Sequence, residues 1–110
     1  SDAGVEAKSQ IVLPNIAFSA PSLNLPAPGS VIAAGKPNLL TWSTTSLTET
    51  YEVQLASDES FMQVVKQQKV RTNFLSYTPE SSQTIFWRVR SIGADAKMSD
   101  WSIPSSFTAR

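Results

Sequence analysis

The sequence contains no cysteine and no histidine. The first absence excludes disulfides, thiolate-bound metals and thiol nucleophiles. It leaves the compartment open, because an exported domain with an adequate core needs no disulfide. The second removes the commonest general base and the commonest transition-metal ligand. Net charge is also missing: nine basic residues balance nine acidic ones, so the electrostatic footprint of a nucleic-acid binder is absent. Apolar runs are only a few residues long, too short for a bilayer-spanning helix. No polybasic run or basic amphipathic helix points to a membrane surface. The four glycines are scattered at turns, so there is no phosphate loop, and neither Gly-x-Ser-x-Gly nor Ser-x-x-Lys occurs. These absences predict a chain with no catalytic residues, no cofactor and no metal, whose partners are neither nucleic acid nor membrane.

What the sequence does have is alternation. In Ile85-Phe86-Trp87-Arg88-Val89-Arg90-Ser91-Ile92, Ile85, Trp87 and Val89 fall on one face, with Phe86, Arg88 and Arg90 on the other. This two-residue period marks a strand with one buried face, and its aromatic and β-branched residues suit a pleated surface. The segment is expected to be the central strand.

Other elements are placed around it in chain order. Residues 1–15 read as a polar leader or inter-domain linker without the basic and apolar regions of a signal peptide. Within them Ile11-Val12-Leu13, stopped by Pro14, would add an edge strand or pack as an arm. Residues 16–110 form the expected domain. Pro21, Pro26 and Pro28 confine the first strand, Leu23 to Leu25, to an edge with a break. Val31 and Ile32 would resume pairing beyond the Pro28-Gly29 turn.

Asn38 to Ser43 is the second strand and Tyr51 to Ala56 the third, with Tyr51, Val53 and Leu55 inward. After a turn at Ser57-Asp58-Glu59-Ser60, Phe61 to Gln68 is expected as the fourth, with a short helical turn at Phe61 to Val64 as the competing assignment. Asn73 to Thr78 is the fifth, and Ser105 to Ala109, anchored by Phe107, is the last. No segment of ten or more residues has a helical apolar period. Seven short strands separated by turn chemistry indicate one all-β sandwich.

The order of motifs resembles a fibronectin type III domain. Pro-x-Leu-x-x-Pro-x-x-Gly (Pro21 to Gly29) is followed by Leu-Thr-Trp-Ser (Leu40 to Ser43) and Tyr-Glu-Val-Gln-Leu-Ala (Tyr51 to Ala56). Phe-Trp-Arg-Val-Arg-Ser (Phe86 to Ser91) and Ser-Asp-Trp-Ser (Ser99 to Ser102) complete the series. The resemblance spans residues 21–109 and implies a seven-stranded, immunoglobulin-like β-sandwich. Tyr-x-Val-Gln-Leu-Ala-x-Asp-x-x-Phe followed by Trp-Arg-Val-Arg is similar to bacterial exported versions. Those sit beside catalytic or binding domains in cell-envelope proteins and secreted glycan-degrading enzymes. Similar variants occur in periplasmic proteins carrying peptidoglycan-binding LysM or FecR-type domains. The resemblance therefore implies an extracytoplasmic, monomeric accessory module whose partners are neighbouring domains, a protein or a glycan. One departure is that Ile85 stands where the family commonly places the tyrosine that ties down the preceding loop, here Pro79 to Gln83.

The residues with functional potential each have an ordinary structural reading. Trp42 and Trp87 are expected in the core, from opposite sheets. On the outer face of the central strand, Phe86, Arg88 and Arg90 project near Trp101. The grouping resembles the tryptophan–arginine ladder of cytokine-receptor fibronectin domains, although Met98 replaces the first tryptophan of the doubled Trp-Ser motif. Cation–π contacts there would act as a brace, neutralised by Glu52 and Gln54 on the adjacent strand. In the competing, carbohydrate-binding reading, Trp101 and Phe86 would stack on sugar rings while Asp100 or Arg90 orients hydroxyls. A third reading is adhesion by strand addition at an open sheet edge. Asp58, Asp95 and Asp100 are simplest as turn formers, and Asp58-Glu59 alternate to opposite sides, a poor acid–base pair.

Overall fold

The computed structural model describes residues 19–110. The boundary between leader and domain, and the Ile11-Val12-Leu13 segment, lie outside the described residues. Among the described residues eight strands occur: β1 (Leu23–Leu25), β2 (Ser30–Ile32), β3 (Asn38–Trp42), β4 (Thr50–Ala56), β5 (Val64–Val70), β6 (Phe74–Tyr77), β7 (Gln83–Ile92) and β8 (Ser105–Ala109). They form a three-stranded sheet in the order β1-β3-β6 and a five-stranded sheet in the order β2-β8-β7-β4-β5. The fold is an immunoglobulin-like sandwich.

The eighth strand arises because the first expected strand is divided between the sheets. Prolines 26 and 28 remove ladder donors and end β1. Gly29, at φ +76°, then reverses the chain in a conformation that strains any residue with a Cβ. Its N–H donates to the Ser106 carbonyl at 2.8 Å, delivering β2 alongside β8, its parallel partner.

The central strand is as expected. Ile85, Trp87 and Val89 are fully buried. They meet Leu40, Trp42, Tyr51, Val53, Leu55, Leu75 and Phe107 in one core cluster. Trp42 and Trp87 come from opposite sheets, with ring centroids 6.3 Å apart, and Tyr51 packs edge-on to Trp42 at 5.8 Å. Without the family's tyrosine at position 85, the loop before β7 is held differently. Pro79 is buried and its carbonyl accepts the Gly35 N–H at 2.7 Å.

The expected fourth strand needs a larger correction. Phe61 belongs neither to a strand nor to a helical turn. It sits in the β4–β5 connection at φ +56°, and β5 begins at Val64. Asp58 imposes this shape. Its carboxylate accepts the N–H groups of Met62 (3.1 Å) and Gln63 (2.8 Å), while its carbonyl accepts that of Phe61 (3.2 Å). Acceptance chiefly of the Gln63 N–H, outweighing desolvation, also holds the Asp58 carboxyl below its ordinary pKa. Asp58 is thus a turn former, and the ring it positions lies against the outer face of the large sheet.

Candidate functional site

The outer face of β4 and β7 is where the sequence-derived candidates converge. Antiparallel register places Glu52 opposite Arg90 and Gln54 opposite Arg88. The next strand, β5, adds Gln67 opposite Gln54. Directly opposed and diagonal neighbours in a sheet are within side-chain reach, and here they bond. Arg90 Nε donates to Glu52 Oε1 at 2.8 Å, and its Nη2 lies 2.6 Å from the same oxygen. Gln67 Nε2 donates to Glu52 Oε2 at 2.8 Å, and Gln54 Nε2 donates to Gln67 Oε1 at 3.2 Å. Arg88 Nε closes the network by donating to Gln54 Oε1 at 2.7 Å. Glu52 is only 6% exposed, so its charge is tolerated because both oxygens are occupied.

Trp101 reaches this network because of the serines that flank it. Beyond the β7–β8 ladder, which ends with Trp87 opposite Ser105, the main chain of β7 has no strand partner on that side. Ser102 supplies one end, its N–H donating to the Val89 carbonyl (2.8 Å) and its hydroxyl accepting the Val89 N–H (3.0 Å). Ser99 repeats this arrangement at Ser91, with both distances 2.9 Å. Ser-Asp-Trp-Ser is therefore a clamp on an otherwise unpaired strand edge, and it sets Trp101, one of the two residues between the serines, against the arginines.

The guanidinium carbons of Arg88 and Arg90 lie 4.4 and 4.3 Å from the Trp101 ring centroid. The two arginines leave β7 two residues apart, about 6.8 Å along a strand, so the indole fits between them. Arg88 also lies 4.1 Å from the centroid of Phe61. The assembled order is Phe61, Arg88, Trp101, Arg90.

The electrostatics follow from this packing. Burial alone would raise the pKa of Glu52. Hydrogen bonds from Gln67 and Arg90, with the charges of Arg90 and Lys69, outweigh it and hold the carboxyl below its ordinary value. Burial, then repulsion from Arg90, lowers the pKa of Arg88, but a guanidinium starts so high that it stays charged. Its hydrogen-bond acceptor is a neutral amide, so aromatic faces supply the remaining stabilisation of its charge.

Not every candidate joins the group. Phe86 lies apart, lining a cleft with Pro28, Glu59, Ser60 and Pro104. Asp100 is exposed, and its carbonyl accepts the Ser99 hydroxyl at 2.8 Å. Phe61 and Gln67 belong to the network without having been singled out from sequence. The signal for Phe61 was the Asp-x-x-Phe spacing, and for Gln67 the pairing of β5 with the alternation of β4. No group of three or more metal-ligating side chains occurs among the described residues.

Comparison of the fold with solved structures gives a consistent answer. An Fn3-like protein from Clostridium thermocellum superposes with a TM-score of 0.63 at 11% identity, covering 84% of this chain and 94% of that one. The fibronectin(III)-like modules of Clostridium thermocellum CbhA give 0.59 at 12% identity, covering 81% and 93%. The fold is fibronectin type III-like. A β-1,2-glucanase from Parabacteroides distasonis gives 0.61 at 16% identity over 84% of this chain, but only 13% of the glucanase. No protein-family model and no curated protein sequence matches the chain.

Proposed function

We propose that this chain is a non-catalytic accessory module of a multidomain envelope or secreted protein, setting the spacing of its neighbours or presenting a surface to a protein partner. The observation that carries this reading is the position of Trp101. Its ring lies between two guanidinium groups, and the polar groups beneath are engaged with one another. A row used up in internal bonds acts as a brace, stiffening the loop and sheet through which a spacer transmits its geometry. The similar structures support the reading, being modules in CbhA and a small part of the glucanase chain.

The same observations weigh against the other roles. A sugar platform requires an open aromatic face, and two guanidinium groups already lie within 4.4 Å of the Trp101 ring centroid. Phe86 is set apart in another cleft. Strand addition needs a long regular edge. β5 is the longest edge strand, and Lys66, Lys69 and the register shift at Leu55/Ala56 protect it. The extracytoplasmic setting rests on the resemblance and forms part of the proposal.

Acrylamide quenching of tryptophan fluorescence, comparing the parent with Trp101→Phe, tests the brace. Cellohexaose, xylohexaose and chitohexaose are then titrated into the parent. The expected result is weak quenching of Trp101 and no saturable change with any oligosaccharide. Saturable protection of Trp101 by one of them would overturn the spacer reading in favour of a carbohydrate-binding module.

A further inference from the structure

The polypeptide enters the sandwich across one end, and that crossing is tied on both sides. Ser91 on β7, in the five-stranded sheet, donates its hydroxyl to the Ser19 carbonyl at 2.9 Å. Three residues later, Ser22 is held to Ser43, which directly follows β3 of the three-stranded sheet. The Ser22 N–H donates to Ser43 Oγ and the Ser43 N–H to the Ser22 carbonyl, both at 2.9 Å. Packed sheets lie about 10 Å apart, and three residue steps reach about 10–11 Å when fully extended. The crossing from Ser19 to Ser22 therefore has almost no slack.

The local sequence favours this extended form. Pro21, buried between the two anchors, has its φ fixed by its ring. The same ring keeps Ala20 out of the helical region.

The anchor on β7 is unusual for its position. Ile85, Trp87, Val89 and Ser91 share the inward alternation, and all four are fully buried. The first three are apolar core residues. The fourth carries a hydroxyl that must be satisfied where water does not reach.

Proton accounting gives its network a direction. Ser91 has one hydroxyl proton, and it goes to the Ser19 carbonyl. The 2.7 Å contact between Thr45 Oγ1 and Ser91 Oγ is therefore donated by Thr45, and the 2.6 Å contact between Thr48 and Thr45 by Thr48. A longer contact from Thr48 Oγ1 to the Ser46 carbonyl, 3.2 Å, competes for that last proton. The relay runs from Thr48 through Thr45 and Ser91 to the Ser19 carbonyl, each hydroxyl polarising the next. The main chain of Ser91 is engaged as well, by Ser99 of the Trp101 clamp. One residue thus joins the entry of the chain, the β3–β4 connection and the clamp.

We propose that the Ser91 hydroxyl pins the entry of the chain, holding Ser19 to Ser22 as a taut strap across the end of the sandwich and so setting the direction in which the preceding segment joins it. The strap is a conformational device at the N-terminal junction. It goes beyond the spacer role and does not depend on it, because it rests on Ser91 and Ser19 rather than on the Trp101 row.

¹⁵N relaxation and residual dipolar couplings of the whole chain, compared among the parent, Ser91→Ala and Thr45→Val, test this. The reporter is the Ala20 N–H, which shares a peptide plane with the Ser19 carbonyl. In the parent its order parameter should be about 0.85, the value of rigid backbone, and its coupling should fit the alignment frame of the strands. In Ser91→Ala the order parameter should fall below about 0.6 and the coupling should leave that frame. The amides of Trp87 and Val89, and that of Ser22 at the other anchor, should stay as in the parent. Thr45→Val removes the donor to Ser91 without touching Ser19, and should produce a smaller fall at Ala20. The proposal is overturned if Ala20 is already flexible in the parent or is unchanged in Ser91→Ala. If Ser91→Ala does not fold, an unchanged Ala20 in Thr45→Val overturns it. A loss of order spread along β7 would do so too, since the hydroxyl would then serve the core and not the entry. The spacer reading is decided by the quenching of Trp101, so the two failures are distinguishable.

Discussion

The two outer faces of the sandwich handle solvent in opposite ways. On the outer face of the five-stranded sheet, β4, β5 and β7 carry Glu52, Lys69, Arg88 and Arg90. The middle of that face is roofed by Trp101 and Phe61. On the three-stranded sheet, β1, β3 and β6 carry no charged residue. There Leu25, Leu39 and Phe74 are 56%, 53% and 45% exposed with nothing among the described residues over them. The difference teaches what a roof requires. Glu52 can lose its water only because Arg90 and Gln67 satisfy it, and Trp101 can cover the arginines only because its serines bond the edge of β7. The uncharged face has no buried polar group to compensate and gains nothing from a comparable network.

Removing the roof should have the largest effect. Trp101→Ala deletes two cation–π contacts, worth about 1 kcal/mol each when partly desolvated, together with the apolar area of a half-buried ring. Urea unfolding should show a loss of about 3 kcal/mol. A loss below about 1 kcal/mol would mean that the arginines are held by Glu52 and Gln54 alone, and the brace would reduce to ordinary surface ion pairing.

Glu52→Gln should cost less, about 2 kcal/mol at neutral pH, because Arg90 keeps a neutral acceptor but loses its charge partner. Its signature is in the pH dependence. The folded pKa of Glu52 lies below the ordinary value of 4.5, so its contribution is complete above the unfolded pKa. That contribution is lost as pH falls through the folded value. Urea midpoints measured from pH 7 downward should show parent and variant converging in acid. Asp58, lowered in the same direction, should destabilise both proteins equally over that range. A constant gap down to the acid limit would show that Glu52 acts by shape and not by charge.

Much of this arrangement was legible in the sequence, and the parts that were not have a common cause. The alternation of β7 and β4 determined which side chains share the outer face, since strand period and antiparallel register are local consequences of backbone geometry. The core tryptophans followed from the same alternation. Phe61 was misplaced because its apolar character suits a strand, whereas a side chain–main chain capture by Asp58 fixes its backbone. The division of β1 from β2 was visible only as prolines, because which sheet each half joins depends on the position of β8. Periodicity reports faces. It does not report which loops come to lie over them.

The smallest expected effect belongs to the bare face. Leu39 is opposite Ser76 in the β3–β6 ladder and points away from the core residue Leu40. Leu39→Thr keeps a strand-forming residue and removes only partly exposed apolar atoms, so unfolding free energy should change by no more than about 0.5 kcal/mol. The contrast with Trp101→Ala is the informative quantity, because both residues lie on outer surfaces and one-dimensional burial ranks them too close together. What separates them is that Trp101 is embedded among charged partners that need it, while Leu39 touches a ladder complete without it. A loss of more than about 1 kcal/mol for Leu39→Thr would show that the uncharged face has a cover of its own.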